Sequence, residues 1–480
     1  MLLWLRNDLR THDNPALHYF LDHHGPEKQC KAVFFVSKKQ WRQHHWSEIK
    51  IDFVLRHAQY MVKALANIGV ELKVVSLDTF IQQQQYIQDY CLQHSINEVV
   101  ANSELEFNEQ QRDKALIEKG VNLTLFEADV IVPKGKLLTQ SDTMFKVFTP
   151  FKRAWVKYVL NNGFDYFGKI KNDKASPIIT QADSNTNGDN NTDGELTGTL
   201  SKNWPLSVRF EQEVLANFIS DKHIHYKESR DIPSIKGTSG ISPYLAAGVI
   251  SPRYVLTLLL NKWPDLLLAA DNDNFCWLNE IIWREFYRHV LFHQPNLAKH
   301  QSFKEKYQHV TWRNNAQQFE AWKLGQTGYP IIDAAMRQLN TMGWMHNRLR
   351  MLTASFLTKH LLVDWRWGEQ YFMEQLIDGD LAANNGGWQW SASTGCDAQP
   401  YFRIFNPIRQ SEKFDPKGHF IRMYLPELSD VPDKEIHFPH KYMKKHQLGG
   451  YWPAIVEHSI ARAEALAFYQ AIEKSKEGNE

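Results

Sequence analysis

The sequence predicts an α/β protein in two parts, an N-terminal parallel α/β (Rossmann-like) domain and a C-terminal all-helical domain. Three observations predict it. Short apolar runs alternate with longer amphipathic stretches up to residue 135, the strand pattern is gone from residue 205, and apolar positions recur at helical spacing from there on. A chain of 480 residues also exceeds what one hydrophobic core usually organises.

The first part, 1–135, contains five runs of strand character: MLLWL, AVFFV, ELKVVSL, NEVVAN and VNLTLFE. Sheets of this kind take ligands outside the carboxyl ends of their strands, so the residues that follow each run are where a site is expected. GxGxxG and P-loop motifs are absent there. Residues 136–204 read as a connector, and within it 172–200 is dominated by Asn, Asp, Thr, Ser and Gly, with too little apolar content to repay ordering. That stretch is expected to be an exposed linker. Residues 205–475 carry helical periodicity, punctuated by turn signals such as GTSGISP, QPN and TGYP.

Composition bounds the function. Hydrophobic residues make up 43% and charged residues 23%, as in ordinary folded soluble chains and unlike disordered or membrane proteins. With a net charge of +1, any nucleic-acid surface has to be a local patch. The four cysteines have no CxxC pairing and no histidine at ligand spacing, which favours free thiols, no metal and a cytoplasmic location. No apolar run reaches the roughly 18 residues of a membrane span, and the N-terminus is charged from Arg6 on.

Three segments carry chemistry. On a helical wheel WLNEIIWREFYRHVL places Trp277, Glu280, Trp283 and Arg284 on one arc, with Glu280 between the two indoles and Ile282 and Phe286 elsewhere. This is either an amphipathic helix with packed tryptophans and solvated charges or the wall of a site. The segment HNRLRMLTASFLTKHLLVDW puts Asn347, Arg350, Met351 and Ala354 on one face, which suits a flat polar ligand or merely a wet surface. The stretch IDGDLAANNGGWQWSASTGCDAQPYFRIFNP is not expected to be regular throughout. Its Asp378, Asp380, Asn384, Trp388 and Trp390, beside paired glycines, suit close backbone approach to a planar ligand, a turn rich in capping groups being the other reading.

These segments, with TGYPIIDAAMRQLNTMGWMHNRLRM and the opening WLRNDLRTHDNPAL, resemble the photolyase and cryptochrome family, and in particular its class I cyclobutane pyrimidine dimer photolyases. The resemblance runs from the first strand to the C-terminal helix, interrupted mainly at 172–200. It implies FAD, active as FADH⁻, buried in the helical domain, and light-driven repair of a flipped-out pyrimidine dimer in DNA by electron transfer from the photoexcited cofactor. Tyr226, Thr238, Ser239, Ile241, Ser242, Trp277, Arg284, Asn347, Arg350, Asp378, Asp380 and Asn384 would hold FAD, with Asn384 at its reactive edge. Glu280, Trp283, Asn347, Met351 and Trp390 would line the dimer pocket, with Arg230 and Arg348 on the DNA-facing rim and Glu280 bonding the dimer. Trp388, Trp365 and Trp312 match the family's tryptophan chain for photoreduction of the flavin.

The resemblance also implies a light-harvesting antenna in the N-terminal domain, 5,10-methenyltetrahydrofolate, at His44, Glu106, Asn108 and Lys299. His346 is out of register with the histidines of the (6-4) enzymes and is expected to make a helix-end contact. Gly240 stands where the family commonly has a basic side chain, and tight FAD binding is expected regardless. A monomer without an obligate protein partner is the family-based expectation. The rivals are a cryptochrome-like photoreceptor, against which stand Glu280, Trp283, Met351, Trp390 and the short stretch after Ala467, and a non-catalytic nucleic-acid binder.

Overall fold

Five parallel strands build the N-terminal sheet, β1 (Leu2–Leu5), β2 (Cys30–Val36), β3 (Val70–Ser76), β4 (Val99–Asn102) and β5 (Leu123–Phe126), in the order β3-β2-β1-β4-β5. They are the five apolar runs of the sequence. β1 is central, with Leu2 opposite Lys31 on β2 and Val99 on β4. Side chains alternate between faces along a strand, so Leu3 and Leu5 enter one buried cluster and Leu2 and Trp4 enter another. Burial on both faces is why β1 is apolar throughout. The strand order reverses beside β1, which opens a crevice between the residues after β1, Arg6 to Asp8, and those after β4, Ser103 to Glu106.

The structure, a computed structural model, describes residues 1–24, 30–170, 200–269 and 272–477. The linker expected over 172–200 therefore lies outside the described residues, save for Leu200. Between 136 and 204 the helix Phe148–Asn162 buries Phe151, Trp155 and Val159 in the same cluster as Leu3 and Leu5. Among the described residues the helical half has no named strand, as the sequence predicts. No helix among them is long and apolar enough to cross a membrane.

The two halves are joined by backbone contact and by buried charge. Gly248 has φ +64, and a side-chain carbon there would lie 1.8 Å from the Asn7 carbonyl oxygen, so only glycine permits the approach. Asp13 accepts from Arg253 Nε at 2.9 Å, and Arg10 donates to the Gly248 carbonyl at 2.9 Å. The Glu285 carboxylate accepts from the Ile131 and Val132 amides at 2.9 and 2.7 Å and from Trp155 Nε1 at 2.8 Å. Lys50, in the helix Glu48–Ala66, donates to the Gly379 carbonyl at 2.7 Å.

The glycine-rich stretch 377–407 is not regular throughout, as expected, but it contains a regular helix, Leu381–Ser391. Asp380 caps it by accepting from the Ala383 amide at 2.9 Å, and burial of Ala382, Asn385, Trp388 and Gln389 along one side outweighs the low helix propensity of two glycines. Gly386 is there for proximity, since a Cβ would lie 2.2 Å from the Tyr287 ring.

Candidate active site

Three helices and one short segment carry the candidate residues of the helical half. The first is Leu278–His293, buried at Ile281, Ile282, Glu285 and Phe286 but only half-buried at Glu280, Trp283, Arg284 and Tyr287. The arc read from the sequence is thus the open side of an otherwise packed helix. Trp277, at its start, is buried. The second is Asn347–Ser355, where Leu349 and Leu352 are buried while Asn347, Arg350 and Met351 retain exposure. Ala354, expected on that same face, is buried instead. His346 caps the helix by accepting from the Arg348 amide at 3.2 Å, the helix-end contact expected of it. The third is Leu381–Ser391, whose Ala383, Asn384, Gly387 and Trp390 lie off the packed side. A Cβ on Gly387 would meet nothing within 4 Å.

The residues expected to hold FAD converge here from distant segments. Asp378 accepts from Ser242 Oγ at 2.6 Å and from Arg350 Nη2 at 2.8 Å, which joins three of them directly. Asn384 donates to the Glu369 carbonyl at 2.9 Å, which fixes its amide plane. Arg284 donates to the Asp129 carbonyl at 2.6 Å, and burial together with Arg288 pulls its guanidinium down to about 10. Burial works to raise Asp380, but Arg288 and Arg284 outweigh it and keep its carboxylate low. Tyr226 and Ile241 are buried, and Thr238, Ser239 and Ser242 are half-buried on the segment that leads into the short helix Ser242–Ala246. Gly240 has φ +68, so the missing basic side chain stands at a backbone conformation that favours glycine.

This donor set fits a flavin dinucleotide. Hydroxyls, an amide and paired Arg–Asp groups surround a wall of small residues, Ala383 and Gly387, that leaves room for a planar ring.

At the mouth, Arg230 Nη1 lies 2.8 Å from Glu280 Oε1 and Arg348 Nη2 lies 2.7 Å from Asp231 Oδ1. Met351 and Trp390 are half-buried. Trp283 is stacked on Phe148, ring centres 3.7 Å apart, so one of its faces is already covered. Trp388, Trp365 and Trp312 are all buried in one apolar cluster, with Trp388 edge-on to Trp322 and Phe372 and Trp312 against Phe468 and Tyr469. The indole N–H groups of Trp312 and Trp365 have no hydrogen-bond partner in the structure.

The crevice at the ends of β1 and β4 is a cavity of about 350 Å³, and all four residues expected at the antenna, His44, Glu106, Asn108 and Lys299, line it. His44 sits 3.2 Å from Glu109 through Nδ1 and 3.0 Å from the Asn108 amide nitrogen through Nε2. Burial and then Glu109 push Glu106 up to about 7. The same cavity reaches Arg284 and Asp380. A shared wall between the two sites was not legible in the sequence.

Sequence reasoning also missed Arg288, Asp129 and Glu109. Arg288 pairs with Asp380 and lies 2.7 Å from Asp129. It stands one helical turn beyond Arg284 in WREFYRH, a spacing that could have revealed it. Asp129 carries no such signal, because it reaches the site from the loop after β5.

Comparison with known proteins follows the same division. A family model for the FAD binding domain of DNA photolyase matches residues 277–471, and one for DNA photolyase matches residues 1–166. A deoxyribodipyrimidine photo-lyase of Escherichia coli K12 is 42% identical over 99% of this chain and 99% of that protein. A bacterial class III photolyase from Agrobacterium tumefaciens superposes with a TM-score of 0.79 at 34% identity, covering 98% of this chain and 97% of that one. A cryptochrome of Synechocystis superposes with a TM-score of 0.80 at 26% identity, covering 98% of both chains.

Proposed function

Since the chain belongs to the DNA photolyase family, we propose that the recess between the three helices holds FAD and admits a pyrimidine dimer flipped out of DNA. The protein is a deoxyribodipyrimidine photo-lyase, a light-driven repair enzyme for cyclobutane pyrimidine dimers. Reduced FAD, when bound, supplies the photoexcited electron that opens the cyclobutane ring and receives it back.

The chain's own residues bind, orient and exclude water. Arg350, Asp378 and Ser242 form one charged hydrogen-bonded corner for the cofactor, and Arg284, Arg288 and Asp380 form a second. Asn384, held by Glu369, presents an amide of fixed plane to the reactive edge. Trp283, Met351 and Trp390 offer apolar surface for the flipped-out pyrimidine dimer, and Glu280 offers the group that bonds it. Trp388, Trp365 and Trp312 form the electron route for photoreduction of the flavin. His44, Glu106, Asn108 and Lys299 hold a folate antenna, where a carboxylate suits the pterin edge and a lysine an anionic tail. The protein acts in the cytoplasm, a reading supported by the free thiols of Cys91, Cys276 and Cys396, and as a monomer without an obligate protein partner, a reading that rests on the family resemblance.

The fold is common to photolyases and to a cryptochrome, so the observation that carries the repair reading lies in the site. A carboxylate, Glu280, sits beside Trp283 on the open side of a buried helix, next to the rim arginine Arg230. The test is conversion of an oligonucleotide bearing one thymine cyclobutane dimer by reduced enzyme, in blue light and in darkness. Repair is expected only in light, and Glu280→Ala is expected to lower its yield at least several-fold with flavin content unchanged. Light-independent conversion, or none with reduced flavin bound, sinks the reading.

A further inference from the structure

Both arginines at the mouth of the recess are already occupied by carboxylates of the site itself. Arg230 spends its guanidinium on Glu280 at 2.8 Å, and Arg348 donates to Asp231 through Nη2 at 2.7 Å and Nε at 3.2 Å. The pairs are adjacent, because Arg230 and Asp231 are neighbours in sequence. A phosphodiester offers the same two-oxygen geometry and charge as a carboxylate, so a DNA strand laid across this rim competes directly for both guanidinium groups.

We propose that Arg230 is a positioning residue that releases Glu280 when DNA binds: a backbone phosphate displaces the carboxylate from the guanidinium, and Glu280, left unpaired in a desolvated recess, takes one proton from solvent and turns an O–H toward the carbonyl edge of the bound base. The proposal rests on the repair reading and names the event that prepares the pocket. No covalent bond changes; one ion pair is exchanged for another and one proton is taken up.

The surroundings of Glu280 support the exchange. From the segment before its helix comes Cys276, whose Sγ lies 3.5 Å from Arg230 Nη1. From the helix Tyr226–Ser229 and the residues after it come Tyr226, Arg230 and Asp231. From the second wall come His346 and Arg348, which face Asp231, and Arg350, which is paired with Asp378. Of these only Arg230 is paired with Glu280. Burial raises Glu280 above the ordinary carboxylate range, Asp231 adds to this, and the charge and hydrogen bond of Arg230 are what oppose it. Removing the guanidinium therefore drives the group toward its neutral form. A neutral acid can donate to a carbonyl, which a carboxylate cannot.

The test is calorimetric titration of the flavin-bound protein, in darkness, with a duplex carrying one thymine cyclobutane dimer, in phosphate and in Tris, whose ionisation enthalpies differ. Net proton uptake on complex formation is expected. Over the pH range in which uptake is seen, affinity is expected to fall as pH rises, because the complex binds a proton that the free protein lacks. Glu280→Gln is expected to abolish the uptake and flatten the pH profile. Arg230→Gln is expected to weaken binding and also to shrink the uptake, since Glu280 would already be protonated before DNA arrives. A simply misfolded variant would lose its bound flavin and is thereby recognised. Tight binding with no proton uptake, or uptake unchanged in Glu280→Gln, overturns the exchange while light-driven repair still upholds the function. Absence of both dimer binding and light-driven repair overturns the function itself.

Discussion

A buried acid without a counter-ion is the most telling single residue of the molecule. Glu285 has no basic partner in hydrogen-bond contact and is held by the Ile131 and Val132 amides and by the Trp155 indole. Burial pushes it up to about 7 despite those three donors. Glu285→Gln keeps the shape but leaves one oxygen to serve three donors, so at least one buried N–H loses its partner. The expected cost is about 1–3 kcal/mol of folding stability, read from urea denaturation. Light-driven repair by the fraction that stays folded should survive, because Glu285 faces away from the recess. Its neighbour Arg284 faces the recess, and a helical wheel separates the two from the sequence alone. The partners of Glu285 lie more than a hundred residues upstream and no local pattern announces them.

At the scale of one element, the helix Leu381–Ser391 has two glycines that do opposite work. At Gly386 an added methyl collides with the Tyr287 ring, whereas at Gly387 it enters open space. Alanine at a helix interior is intrinsically favoured over glycine by about 1 kcal/mol, so the two substitutions should diverge. Gly386→Ala is expected to lower the melting temperature and to loosen the packing of this helix on Leu278–His293. Gly387→Ala is expected to raise the melting temperature of flavin-free protein while reducing the flavin retained after desalting, since its methyl group occupies the cofactor side. A flavin content equal to that of the parent chain in Gly387→Ala would remove this residue from the site. The amino-acid pattern advertised a polar, glycine-rich stretch and not a helix, because its stabilisation comes from an aspartate cap and from tertiary burial.

The whole molecule carries many buried histidines, and they set its response to acid. Burial pulls His57, His223, His289 and His346 down to about 4 and His12 and His360 to about 3. Their folded values lie below the ordinary 6.5, so the unfolded chain gains protons first as pH falls. Stability is therefore expected to drop between pH 6.5 and 4. Glu106, Glu285 and Asp333, pushed up to about 7, 7 and 6, act in the other sense, as do Glu104, Glu211, Glu280 and Asp415, which burial also raises, and together they offset part of that drop. Melting temperature against pH should fall by several degrees toward pH 4.5, and a curve flat over that window would contradict the buried neutral state of these histidines.

What the sequence determined by itself was local: five strands from their apolar runs, a helical second half from its periodicity, and the open arcs of two walls from helical spacing. The long motifs at 277–291, 327–351 and 376–395 also carried the family. Tertiary structure decided what meets what. It placed Ser242, Arg350 and Asp378 in one corner, brought Arg230 onto Glu280, and opened the crevice at the ends of β1 and β4 onto Arg284 and Asp380. Periodicity records which side of an element is buried. It holds no record of partners a hundred residues away, because charged pairs and close backbone approaches are selected by three-dimensional proximity and leave no spacing along the chain.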